Sequence, residues 1–470
     1  MSKKSLIHLS VIFSSLSILS ISSTAHSAGF ALIENSASGM GKAFAGAAAS
    51  AEDASTVWFN PAGMTYLGDE LEGKSQLTNS GHIIRSKVKY SDKGSAAPAS
   101  LLTTMDGETE TSETLHAFVP NLYFTKRIKP RLDFGISVNG PFGSKTLYDD
   151  DWIGRYHATE TDMKTVNINP SLSWKMNEKL SIGGGISAQY IHVTLGKSVD
   201  SGAACRQVAL ASGSTDILDT CSAGYPEASK VEKDSQVVVE GDDVSFGFNV
   251  GILFKASPKT RLGASYRSKV KHDLTGEIEF ELDPTLGALA QVLDAQGNTS
   301  FTNRDIEASV ELPDMLSLSF AHKYNSRLEI LGDYTWTGWS SFPELLITDA
   351  ADGSDVTRTP EEWEDSSRIS IGANYKYNEK LTLRTGLAWD ETPIPSVALM
   401  TPRIPGNDRT WLSFGAGYKM NKHLNFDFGY THLLIDETAI DNTDDAGYSI
   451  RGLYKNNIDI LSAQANYTFK

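Results

Sequence analysis

The chain has 470 residues, 40% hydrophobic and 21% charged, and its 42 Lys and Arg against 58 Asp and Glu give a net charge of −16. Mean hydropathy is −0.25. So acidic a balance argues against nucleic acid as a partner.

The first residues set the compartment. Lys3 and Lys4 precede a stretch, residues 6–21, made mostly of Leu, Ile, Val, Phe and Ser. Ala25 and Ser27 then occupy the −3 and −1 positions of a cleavage site before Ala28. This three-part layout predicts a secretory signal peptide over residues 1–27. An anchoring helix is the competing reading, but the stretch is short and Ser-rich for a span. Beyond Ser27 no window of about 18 apolar residues occurs, so no ordinary membrane helix is expected. Both a soluble periplasmic protein and a membrane barrel pass that test, because barrel strands alternate lipid-facing and lumen-facing residues.

Residues 28–69 are rich in Ala, Gly and Ser, show no sustained alternation and precede the first strand. Composition alone leaves a linker, a small external domain and a plug as open readings. From residue 70 the pattern changes. A phrase recurs in which an aromatic or basic residue is followed by polar turn formers and then by Leu opening a new run. It appears as Trp174-Lys-Met-Asn-Glu-Lys-Leu180, Tyr375-Lys-Tyr-Asn-Glu-Lys-Leu381 and Tyr418-Lys-Met-Asn-Lys-His-Leu424. His322-Lys-Tyr-Asn-Ser-Arg-Leu328 is a close variant, and residues 124–132 and 254–262 are looser ones carrying Pro130 and Pro258. These are hairpin turns by their chemistry.

Between the turns the residues alternate with period two, as strands with two unlike faces must. Leu424, Phe426, Phe428 and Tyr430 interleave with Asn425, Asp427, Gly429 and Thr431, and the run from Leu461 to Phe469 behaves likewise. A sandwich would bury the apolar face against a second sheet. Here the other face is Gly, Ser, Asn and Asp, as a polar lumen requires. Long polar segments, the longest around residues 196–236 and 281–304, alternate with the six short turns. Short turns at one end and long loops at the other mark an outer-membrane β-barrel. Six periplasmic turns with both chain ends in the periplasm give fourteen antiparallel strands over residues 70–470. Cys205 and Cys221 fall in one such loop, where an exported protein is expected to bond them. The cysteines have no further ligands nearby, and neither Asp149-Asp150-Asp151 nor the acidic stretch at residues 441–445 has calcium-loop spacing, so no metal and no cofactor is expected.

Enzyme chemistry finds no foothold. Gly183-Gly184-Gly185 and Gly39-Met40-Gly41-Lys42 lack the Walker spacing and the strand-to-helix context. The histidines are scattered, with no Gly-x-Ser-x-Gly elbow beside them.

One segment carries more than composition. Ala28-Gly29-Phe30, Glu34-Asn35, Ser38-Gly39-Met40-Gly41, Ala43-Phe44-Ala45-Gly46, Asp53-Ala54-Ser55-Thr56 and Asn60-Pro61-Ala62-Gly63-Met64 resemble the N-terminal signature of the FadL family of hydrophobic-compound transporters. Further matches along the chain include Gly140-Pro141-Phe142-Gly143, residues 151–156, Arg267-Ser268-Lys269-Val270-Lys271 and residues 408–413. The resemblance implies a barrel closed by an N-terminal hatch over residues 28–69, with Asn60, Pro61 and Ala62 in the lumen and Phe30 near a ligand pocket. It places an inward kink of the third strand at Gly143, a gap through which solute would leave sideways. Lys197 matches a basic position that holds a carboxylate in fatty-acid-transporting members, whereas a second such position is Leu346 here. That departure leaves aromatic hydrocarbons and alkanes beside long-chain fatty acids as candidate substrates. Arg384 and Asp390 share strand parity and are expected to brace the barrel within the lumen. The expected surroundings of this monomer are outer-membrane lipid and lipopolysaccharide. A general porin and a lipid-acting barrel enzyme are the readings from other classes.

Overall fold

The computed structural model describes residues 29–101, 103–295 and 298–469; the signal peptide expected over residues 1–27 lies outside them. Fourteen strands, six of them interrupted, close into one antiparallel barrel. In chain order they are β1 (Gln76–Asp92), β2 (Glu110–Lys129), β3 (Leu132–Asn139 and Gly143–Leu147), β4 (Glu160–Lys175), β5 (Leu180–Val199) and β6 (Ser235–Ser257). There follow β7 (Thr260–Arg267 and Val270–Glu281), β8 (Arg304–Leu312 and Met315–Lys323), β9 (Leu328–Thr337 and Glu344–Asp349) and β10 (Asp355–Pro360 and Ser366–Lys376). The last are β11 (Leu381–Asp390), β12 (Arg409–Lys419), β13 (Leu424–Ile435 and Thr438–Thr443) and β14 (Ser449–Thr468). The pairing of β1 with β14, from Gln76 opposite Thr468 to Asp92 opposite Gly452, completes the ring.

The repeated turn phrase works through its Asn. In four turns the side-chain oxygen of Asn177, Asn325, Asn378 or Asn421 accepts the backbone N–H groups two and three residues on, at 2.7–3.0 Å. Such a side chain stands in for a backbone turn and fixes the register of both strands. The alternation then sorts the faces. Ile186, Phe246, Phe414, Phe428 and Leu461 point outward and stay exposed, forming the lipid belt. Ser413, Asp427, Thr431 and Ser462 point inward and are buried, even though they are polar.

They are buried because the lumen is full. Four short helices, α1 (Ala37–Met40), α2 (Ala47–Ser50), α3 (Thr56–Phe59) and α4 (Gly63–Glu70), lie inside the ring. α1 meets β12, β13, β14 and β1; α2 meets β6 to β9; α3 and α4 meet β2 to β5. Of the three readings that composition left open, this position is consistent with a plug.

The long loops are partly helical, which their polar composition concealed. α5 (Ser201–Ser212) and α6 (Thr215–Gly224) start at Asp200 and Ser214, whose side chains accept Ala203 N–H at 2.8 Å and Ile217 N–H at 3.3 Å. α7 (Pro284–Asp294) starts at Asp283 with Pro in its first turn, a favoured helix start. Leu286, Leu289 and Leu293 of α7 pack with Tyr225 and the disulfide-bonded pair Cys205 and Cys221 into a small separate core. Closing a loop of that length is worth about 3 kcal/mol in the chain-entropy model. Cys205→Ser should therefore leave the barrel heat-modifiable on gels while making residues 201–224 the first site of proteolysis; equal cleavage in both proteins would contradict this.

Candidate functional site

Asn60 anchors the plug to the wall. Its amide donates to Ala48 O at 2.7 Å and to Ile252 O of β6 at 3.0 Å, while its oxygen accepts Ala62 N–H at 3.0 Å. The Asn-Pro-Ala turn presses onto bare backbone. A Cβ at Gly251 would lie 2.0 Å from Asn60 Oδ1, and one at Gly183 would lie 2.5 Å from Ala62 N. Gly183, which might suggest a nucleotide loop in sequence, is instead part of the seat for this turn.

Charge fastens the rest. Glu52, on the plug, pairs with Lys42 and with Arg384 of β11 at 3.2 Å, and Arg384 also meets Asp427 at 2.7 Å. Arg384 thus ties plug to wall. Asp390 does not join it and instead faces Arg368 and Arg409 across the ladders. Arg261 of β7 donates to Ala49 O, Ser50 O and the hydroxyl of Tyr66. Buried charges held in this way are costly to separate, because each is left without a partner.

The wall itself is broken at β3. Its lower part pairs with β2 as far as Val138 opposite Leu122. Above the interruption at residues 140–142, Gly143–Leu147 pairs with β4 alone, and the upper part of β2 pairs with β1. The chain's own N-terminal segment covers the inner side of this opening. Leu32 N–H donates to Pro141 O at 2.7 Å, and Gly143 N–H to Phe30 O at 2.9 Å. Pro141 has no N–H to offer a ladder, which suits a residue at a break. Phe30 sits in an aromatic box, its ring centroid 4.6 Å from Trp339, 5.4 Å from Trp363, 5.5 Å from Phe342 and 6.2 Å from Phe142.

Behind that box, between plug and wall, lies a cavity of about 120 Å³. Leu32, Phe44, Phe59, Pro141 and Trp339 line it, along with Arg267, Arg368, Asp333 and Asp390. Phe30, Pro141 and the cavity are therefore contiguous with the wall opening. Asn60, Pro61 and Ala62 lie on a different side, against β5 and β6. The two cavity arginines escaped sequence reading. Their only signal was a basic residue at lumen parity, which a structural pair shares.

Lys197 lies apart, at the outer end of β5 and half-buried. It has lumen parity and its charged neighbours are Arg403, Asp444 and Asp445. Leu346 has the opposite parity to buried Ile347 and faces outward, so its identity says nothing about a lumen carboxylate. His157, in the loop between β3 and β4, lies beside Lys197. Burial, with that cation, lowers its pKa to about 4.

The family model for outer membrane protein transport proteins (OMPP1/FadL/TodX) matches residues 18–469. This chain belongs to that family. Relatives of this FadL-family member include outer membrane protein P1 of Haemophilus influenzae, 30% identical over 87% of this chain and 86% of that one. The long-chain fatty acid transport protein of Escherichia coli K12 is 28% identical over 92% and 93%. Among solved structures, a Pseudomonas aeruginosa FadL homologue superposes with a TM-score of 0.82 at 24% identity, covering 94% of this chain and all of that one. The Pseudomonas putida toluene transporter TodX superposes at 0.65 with 17% identity, over 94% and 99%. These last two show the fold. Family and barrel together make this an outer-membrane protein for uptake of hydrophobic compounds, not an enzyme.

Gly251→Val should lift the Asn-Pro-Ala turn off the wall and raise single-channel conductance in planar bilayers; a wild-type trace would show that the seat tolerates a side chain. His157 has a depressed pKa, so its contribution to loop stability is present above about pH 6.5 and is lost as pH falls through about 4. Hydrogen exchange of residues 150–158 should quicken over that window, and His157→Gln should flatten the response.

Proposed function

We propose that the protein takes up long-chain fatty acids passively, through a hatch-gated pocket that opens sideways into the bilayer. The observation that carries the reading is the break in β3, which lies against the lumen cavity and is covered from inside by residues 30–32. In this reading the N-terminal segment, residues 28–69, is the hatch. Lys197 meets the carboxylate at the outer mouth, and the chain then passes toward the aromatic box. Phe30 withdraws from the box, releasing its carbonyl bond to Gly143, and the solute leaves between β2 and β3.

The energetics favour a sideways exit. A chain of about sixteen methylenes gains on the order of 13 kcal/mol on leaving water, at roughly 0.8 kcal/mol each. A wet channel to the periplasm would forfeit most of that, whereas exit into lipid keeps it. The cavity supports gating too. At about 120 Å³ it is smaller than the ~150 Å³ cavity known to hold benzene, so an acyl chain needs the hatch or Phe30 to move. The aromatic box around Phe30 favours a second reading, in which an aromatic hydrocarbon is the solute and the box its binding site.

Uptake of labelled oleate and toluene by cells with and without the gene separates the two. Oleate uptake that depends on the protein supports the first reading, toluene uptake alone supports the second, and dependence for neither contradicts both. Gly143→Val should cut uptake several-fold in a barrel that still folds; unchanged uptake would refute the lateral route. Asn60→Ala removes one bond to the wall along with those within the plug, and should alter transport rates without loss of the barrel.

A further inference from the structure

Among the arginines that reach from the wall to the plug, Arg261, Arg267 and Arg368 are not equivalent. Arg261 donates Nε to Ala49 O, Nη1 to Tyr66 and Nη2 to Ser50 O and Glu329. Every nitrogen of that guanidinium is engaged. Arg267 lies flat on the Trp58 ring, 3.4 Å from its centroid, and donates Nη2 to Trp58 O at 3.0 Å. Its Nη1 is buried without a hydrogen-bond acceptor. Arg368 is 6% exposed, lies 4.9 Å over the Trp411 ring and donates Nη2 to Ala43 O at 2.9 Å. Its Nε and Nη1 are both buried without acceptors. Of these three, the two with spare donors line the cavity and Arg261 does not.

A buried donor left unsatisfied carries its full desolvation cost, the more so when charged, so an acceptor brought to it is strongly favoured. The cavity's own acids do not supply one. Asp333 is taken up by the hydroxyls of Ser317, Ser319 and Thr335. Asp390 faces Arg368 and Arg409 across the ladders yet leaves Nε and Nη1 of Arg368 without an acceptor. The remaining lining is largely apolar, as an acyl chain requires.

We propose that Arg267 and Arg368 form a carboxylate-binding subsite within the lumen, where the head of an acyl chain is held while its tail occupies the space beside Phe30. This rests on the uptake reading above and adds a second anionic station, inward of Lys197. Arg suits the role because its planar donor fork matches a carboxylate and keeps its charge when buried. An alcohol or alkane of equal length would meet the same walls but gain little from the two guanidinium groups.

The test is binding of radiolabelled laurate and dodecanol to the purified full-length protein in non-ionic detergent. Arg267→Met and Arg368→Met should each lower the laurate-to-dodecanol affinity ratio at least tenfold, whereas Arg261→Met, which removes a plug contact but no spare donor, should not. If a Met variant fails to assemble, Arg267→Lys and Arg368→Lys carry the same measurement, with a smaller fall in the ratio. A ratio unchanged in the cavity variants, or lowered equally by Arg261→Met, would overturn the subsite. Failure of the wild type to bind either ligand would instead overturn the uptake reading itself.

Discussion

Within a bilayer every backbone N–H and C=O must find a partner inside the protein, and a closed barrel is the strand arrangement that achieves this. β3 departs from that rule between Asn139 and Gly143, where it leaves β2 and loses one ladder. The protein meets the debt with the start of its own plug, through Leu32 to Pro141 and Phe30 to Gly143. Wall, plug and aromatic box are therefore one hydrogen-bonded unit. Whatever displaces Phe30 also uncovers the break, so access to the cavity and access to the wall are coupled by two backbone bonds.

The lumen adds a second constraint. Polar side chains facing inward would be solvated in an open pore, but here they are buried and many are matched by other protein groups. Glu52 with Lys42 and Arg384, Asp53 with Ser38 and Gln464, and Thr65 with Ser181 show this matching. Three non-glycine residues of the plug, Ala43, Phe44 and Ala51, adopt left-handed backbone angles, at a cost of about 1–2 kcal/mol each. Wall contacts hold them there. The plug is thus an imposed conformation, tight because of its surroundings and not because of its own helices, which are one or two turns long.

The barrel was legible in sequence because its signals are local. The Asn-bearing turns, the two-residue alternation and the loop asymmetry each need only a few neighbouring residues to be read. Interruptions of the strands were not legible, since the end of a ladder depends on which strand lies opposite. α5, α6 and α7 were hidden within polar loops, although Asp200, Ser214 and the Asp283-Pro284 pair are recognisable helix starts. Of the site, Phe30, Asn60 and Gly143 came through family resemblance, which compresses tertiary information that periodicity lacks. Arg267 stood within a matched string and was passed over. In sequence nothing separates an arginine with all donors engaged, such as Arg261, from one with donors to spare.

The packing of the plug also bears on how the molecule is made. Its contacts reach the first and the last strand alike, Gln76 accepting Ala54 N–H and Gln464 accepting Ala37 N–H. Those two strands meet when the ring closes. The plug alone has no wall to shelter Met40, Phe44 and Val57 from water. Its burial is therefore complete only once the strands stand around residues that precede them in the chain. The plug thus touches both sides of the seam between β1 and β14 and bridges it from within, like a tie across a joint.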